Sequence, residues 1–287
     1  MKINLSPFDH YPLQTVRANN HETAFIRYGN GPPLVLLHGY AGAMWNWEHQ
    51  IQTLAERFTL YIPDLLGHGL SAKPRIPFTP LTYLDWLQGF MKAVGIEKAD
   101  FVGNSMGCGL ILALALTQPK HVNRVVLISG FPAGVFDQAR AKHLRRFRRL
   151  RMGTLFTLAY QLLGRRAFGK LLRGIVFDVE QITPDVVDRA YRLRKDNGKA
   201  WPLWSSLCQI HEWEDGFALR LNEIATPTLI LWGEHDRFFP RSVGEGLHRM
   251  IPDSRLILIP HAGHLPMWEQ PELVNPRIVE FLTGPLS

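Results

Sequence analysis

Gly103-Asn104-Ser105-Met106-Gly107 sets a serine two residues away from a glycine on each side. The apolar run before it, 99–103, reads as a strand, and residues 105–117 read as a helix. A sharp strand-to-helix turn lifts such a serine out of the sheet edge, where its hydroxyl can attack a carbonyl carbon. Its neighbours must be small because the turn folds them against adjacent backbone. The Met106 N–H, at the helix start, then points at the negative charge that develops on the carbonyl oxygen, and the helix dipole adds to it. A serine hydroxyl also needs a base, and the base needs an orienting acid. Two later segments offer them: Gly233-Glu234-His235-Asp236 after the run 228–232, and Pro260-His261-Ala262-Gly263-His264 after the run 255–259. From the residues alone, Glu234 and Asp236 both remain acids for this role, and His261 and His264 both remain bases.

Those groups need elements that hold them at one edge. Residues 13–17 and 22–28 read as a hairpin around Asn19-Asn20, and 34–37 is a short apolar run without alternation. Further strands are expected at 58–63, 99–103, 122–129, 228–232 and 255–259, with helices at 81–94, 105–117 and 272–282. Strands alternating with helices, and strands apolar on both faces, imply an α/β fold: a mostly parallel sheet of about eight strands flanked by helices. Catalytic groups collect at the carboxyl ends of strands in such sheets.

The chain has 287 residues, of which 46% are hydrophobic and 20% charged, which suits a large buried core and excludes disorder and coiled coil. Two cysteines, Cys108 and Cys208, cannot form a disulfide framework and fit a reduced compartment, most simply the cytoplasm. Cys108, in an apolar helix, reads as a buried inert thiol. Residues 1–14 lack the apolar stretch of a secretory signal. The longest apolar run, 108–116, is about half the roughly 20 residues of a membrane span. None of the twelve histidines forms a compact metal-ligand pattern, and no Gly-rich phosphate loop occurs, so neither metal nor cofactor is expected.

Residues 131–220 break the alternation and read as helical. They hold seventeen lysines and arginines against nine acids, whereas the rest of the chain is close to neutral. The chain is therefore expected to comprise a core, 1–130 and 221–287, with an inserted basic cap, 131–220, after the sixth strand. Segment 144–151 interleaves basic and apolar residues. It reads as a solvated face, as attraction to anionic lipid, or as a site for an acidic substrate group. Nucleic acid lacks support, since no aromatic platform or helix-turn-helix accompanies the charge. Trp201, Trp204, Trp213, Phe131 and Phe136 either line an apolar substrate pocket or pack the cap on the sheet.

Taken in order, these motifs resemble those of the α/β-hydrolases over the whole chain. The resemblance implies Ser105 as nucleophile, Asp236 in Gly-Glu-His-Asp as acid and His264 in Ala-Gly-His as base. It implies His38-Gly39 as the oxyanion loop, with the Tyr40 N–H as a second donor beside Met106. Asp64-Leu65-Leu66-Gly67-His68-Gly69-Leu70-Ser71 resembles the family's turn after the fourth strand, where His38 and His68 hold loops by hydrogen bonds. The implied activity is that of a serine hydrolase on a small, mainly apolar carboxylic ester. Gly103 to Gly107 also resembles the elbow of the meta-cleavage-product hydrolases, which cleave a carbon–carbon bond, although that group carries Trp after its histidine and Leu265 stands here. Haloalkane dehalogenases and epoxide hydrolases use an aspartate where Ser105 stands, and proline iminopeptidases read His-Gly-Gly-Pro-Gly where this chain has His38-Gly39-Tyr40-Ala41-Gly42. A ligand-binding receptor on the same scaffold is the reading of another class.

Overall fold

A computed structural model describes residues 10–130, 153–196 and 200–285. Eight strands form one sheet: β1 (Leu13–Ala18), β2 (His21–Tyr28), β3 (Pro33–Leu37), β4 (Thr59–Pro63), β5 (Ala99–Asn104), β6 (Val122–Ile128), β7 (Thr228–Gly233) and β8 (Ser254–Ile259). Their order across the sheet is β1-β2-β4-β3-β5-β6-β7-β8. The β1–β2 hairpin and the β2–β4 pair are antiparallel, and every later pair is parallel.

Sequence explains the interior strands. β5 and β7 are buried at every position, which requires apolar residues on both faces. Successive residues of β3 feed opposite cores: Val35 and Leu37 join one with α2 (Pro80–Ala93) and α3 (Met106–Thr117). Leu34 and Leu36 join the other, with α1 (Ile51–Ala55) and the C-terminal helices. The second helix starts at Thr79, whose hydroxyl accepts the Thr82 N–H at 3.1 Å, followed by Pro80 with its preset φ. The helix after the serine is apolar all round, and residues 106–115 are all buried, as an enclosed helix requires.

Between β6 and β7 the described residues hold the helices α4 (Gly153–Leu162), α5 (Arg165–Arg173), α6 (Pro184–Asp196), α7 (Trp201–Cys208) and α8 (Ile210–Phe217). Three more helices follow, α9 (Arg241–Met250), α10 (Pro266–Glu269) and α11 (Pro271–Thr283). Pro276 lies inside α11. The strand β8 is an edge strand paired with β7, and most of its residues are partly exposed. Among the described residues, no helix is long and apolar enough to cross a membrane.

Candidate active site

Ser105 stands between β5 and α3 with φ 51° and ψ −116°, a conformation that costs a non-glycine residue about 1–3 kcal/mol. The turn is held from both sides. The Ser105 N–H donates to the Ile128 carbonyl at 3.0 Å, and the Cys108 N–H donates to the Ser105 carbonyl at 3.0 Å. Gly107 permits the approach of α3 to β3, since a Cβ there would lie 2.2 Å from the Leu37 carbonyl oxygen. Cys108 is fully buried, its thiol donating to the Gly103 carbonyl at 3.0 Å, in keeping with the inert role expected of it.

The acid and base meet as one pair. His264 Nδ1 donates to Asp236 Oδ2 at 2.8 Å, both groups buried. Asp236 Oδ1 accepts the N–H groups of Phe238 and Phe239 at 2.7 and 2.8 Å, so both carboxylate oxygens are engaged. The rings of these two phenylalanines flank the imidazole, with centroids 5.1 and 5.0 Å away. Glu234 is exposed, and His261 sits among Phe177 and His235, so neither belongs to the pair that Asp236 and His264 form.

The histidine loop is tied at three points. Asn104 Nδ2 donates to the His264 carbonyl at 3.2 Å, and the His264 N–H donates to the Ile175 carbonyl at 2.8 Å. Glu269, which the sequence reading overlooked, accepts the N–H of Gly263 at 2.8 Å and of Leu265 at 3.4 Å through Oε1, and that of Phe177 at 2.6 Å through Oε2. Burial pushes its carboxyl above the ordinary range, against the pull of those N–H donors. An amide in its place must turn an NH2 toward one of those donors, leaving a buried N–H unpaired at a cost of about 1–3 kcal/mol. Glu269→Gln is therefore expected to lower kcat roughly 10–100-fold with a smaller change in KM, because His264 loses its position; an unchanged kcat would contradict this.

Two loops complete the surroundings. A Cβ on Gly39 would lie 3.0 Å from Ser105 Cβ, so the 38–40 loop abuts the serine. The Met106 N–H is in the first turn of α3, where amides have no partner within the helix. His38 Nε2 accepts the Leu65 N–H at 3.0 Å, which leaves Nδ1–H for the Gly39 carbonyl at 2.8 Å. His68 Nδ1 faces the Leu66 carbonyl at 3.2 Å. Both histidines thus hold loops, as the resemblance implies.

Burial pushes His38 from 6.5 down to about 4 and His68 down to about 3, the latter helped by its neighbour His38. The unfolded chain protonates such groups first, so stability present above pH 6.5 is lost as pH falls toward those values. The stability gap between the native protein and His68→Asn should widen from about pH 4 to 6.5, by up to about 1.4 kcal/mol per unit, and then stay flat. Urea unfolding across that range checks this, and a gap that widens toward acid would contradict it.

Ser105, His264, Tyr40 and Met106 share the wall of one cavity of about 490 Å³. Its remaining walls are mainly apolar, from Phe156, Tyr160, Phe168, Leu203, Leu207, Trp213, Phe238 and Phe239 among others. Of the three tryptophans expected there, Trp213 lines it. Trp201 and Trp204 do not, which corrects that expectation. Trp201 Nε1 donates to the Ile76 carbonyl at 3.0 Å with Arg75 over its ring, and Trp204 packs on Phe156 at 5.3 Å. Both fasten helices to their surroundings. Phe131, Phe136 and the basic segment 144–151 lie outside the described residues.

A family model for the alpha/beta hydrolase fold matches residues 32–271. The chain belongs to this family. Among curated α/β-hydrolase relatives, the 2-hydroxy-6-oxo-6-phenylhexa-2,4-dienoate hydrolase of Burkholderia cepacia is 27% identical over 266 residues, 89% of each chain. Carboxylesterase YbfK of Bacillus subtilis is 26% identical over 262 residues, 89% of this chain and 81% of that one. The crystal structure of a meta-cleavage product hydrolase superimposes with a TM-score of 0.79 at 25% identity, covering 94% of this chain and 97% of the other.

Proposed function

We propose that this α/β-hydrolase is a serine hydrolase that cleaves carboxylic esters with a largely apolar substrate. One observation carries the reading: His264, paired with Asp236, and the strained Ser105 open on a single cavity walled mainly by aromatic and aliphatic side chains. His264 takes the Ser105 proton as the oxygen attacks the ester carbonyl, while Asp236 holds the imidazole in its tautomer and stabilises the imidazolium. The N–H groups of Tyr40 and Met106 receive the oxyanion, each such donor contributing about 3 kcal/mol. The alcohol leaves with the proton from His264. Water activated by the same imidazole then attacks the acyl-enzyme, releasing the acid and restoring Ser105. Residues 131–220 act as the cap, since α4 to α8 supply much of the cavity wall.

Carbon–carbon cleavage of a vinylogous diketone is the second reading, favoured by the elbow residues and by the Burkholderia cepacia relative. Leu265 at the position after the base distinguishes this chain from the pattern of that group. Two assays separate the readings: hydrolysis of p-nitrophenyl esters from acetate to palmitate, and bleaching of a coloured ring-fission dienoate, each with Ser105→Ala as control. Ester turnover that the variant loses, with the dienoate unchanged, supports the esterase, and the best chain length sizes the cavity. Dienoate bleaching without ester turnover moves the assignment to carbon–carbon cleavage. Saturable ligand binding without any turnover would point to a receptor.

A further inference from the structure

The helix α4 is apolar on two sides. Phe156 and Tyr160, with Leu163 just after the helix, line the cavity that holds Ser105. Leu155, Leu158 and Leu162 are instead exposed, by 49%, 49% and 73%. Their spacing places them on one face of the helix. Single exposed leucines are ordinary, but a row of three on the side of α4 away from the cavity does nothing for the helix in water. Leu171 of α5 both lines the cavity and is 59% exposed, so the mouth opens beside these helices.

Positive charge follows at once. Arg165 and Arg166 open α5, whose first turn holds no acid, at the end where the helix dipole disfavours cations. Arg165 pairs with Asp188. Arg166 and Lys170, one turn apart, are exposed, and Arg166 is four residues from Leu162, within about 14 Å along the chain. The position of Arg166 does not favour its own helix, and charge complementarity identifies the partner it suits. We propose that this apolar row, with cations behind it, docks on an anionic lipid bilayer. Leu155, Leu158 and Leu162 enter the boundary between headgroups and acyl chains, and Arg166 and Lys170 meet the headgroup phosphates. The further consequence, an acyl ester drawn from that surface into the cavity, rests on the ester-hydrolase reading; the docking does not.

Co-sedimentation of the full chain with vesicles tests this, using phosphatidylcholine alone and with roughly three parts in ten phosphatidylglycerol. Binding to the anionic vesicles is expected to be at least about tenfold stronger and to weaken with salt. Leu158→Asp with Leu162→Asp should remove it, and Arg166→Glu with Lys170→Glu should reduce it to the level on neutral vesicles. None of these four residues lines the cavity, so turnover of a soluble short-chain ester and the near-UV circular dichroism should stay native. Equal binding to both vesicle types, or aspartate variants that bind like the native chain, would overturn the proposal. So would a native dimer that Leu162→Asp dissociates, since a second copy would then cover this face. Should the soluble ester go unhydrolysed by the native chain, the ester reading fails while the vesicle result still decides the docking.

Discussion

Replacing Asp236 by Asn should lower ester turnover about 10⁴-fold at neutral pH while leaving the fold intact. The size follows from hydrogen bonding around that carboxylate. Oδ1 already accepts two backbone N–H groups, from Phe238 and Phe239, and Oδ2 accepts His264 Nδ1–H. An amide has a single acceptor oxygen, and two fixed donors claim it. Its NH2 group must then face His264, which can answer only by presenting Nδ1 as a lone pair. The ring proton moves to Nε2, and the imidazole can no longer take a proton from Ser105. Steady-state kinetics with a p-nitrophenyl ester, beside unfolding curves, measures this. A loss below tenfold would mean that Asp236 does not set the tautomer.

Gly107→Val is expected to cost the protein at least about 3 kcal/mol, the upper part of the range for overpacked interiors. The three nearest atoms that a new Cβ meets there are all backbone: the Leu37 carbonyl oxygen at 2.2 Å and carbon at 2.8 Å, and the His38 carbonyl oxygen at 2.9 Å. No rotamer change relieves such contacts. The α3 helix must move away from β3, and the serine turn moves with it. At about 2–4 °C per kcal/mol for a chain of this class, Tm should fall by at least about 6 °C, with activity lost in parallel. Gly216→Ala is the matched control, because a Cβ there meets nothing within 4 Å and Ala favours the helix by about 0.5–1 kcal/mol. Calorimetry on both variants checks the pair. A Gly107→Val protein as stable as the native one would contradict the close approach of strand and helix.

How much of this was readable in the residues depends on the physical origin of each element. Leu34–Leu37 and Thr228–Trp232 announce themselves because a strand covered on both faces tolerates little but apolar residues. The serine turn is legible for a related reason: small neighbours at 103 and 107 are demanded by backbone contact, and few other sequences meet that demand. The α9 helix carries no such mark. Val243, Leu247 and Met250 have helical spacing, but Gly244 and Gly246 between them lower its intrinsic propensity, and packing on Trp232 decides the outcome. The cavity walls are harder still. Trp201, Trp204 and Trp213 share type and neighbourhood, and the break between α7 and α8 determines which one faces the cavity. Phe156 and Tyr160 lie on helical spacing that a cavity wall and a packed interface produce alike. Glu269 is invisible for another reason, since its partners are backbone N–H groups, which every sequence possesses.

The central claim is that Ser105 is the nucleophile of a covalent mechanism, and stoichiometric labelling with a fluorophosphonate, read by intact-protein and peptide mass spectrometry, tests it most directly. The expected result is one adduct per chain, located on the peptide that carries Ser105, and none in Ser105→Ala. An unlabelled native protein, or an adduct that persists in the variant, would contradict it.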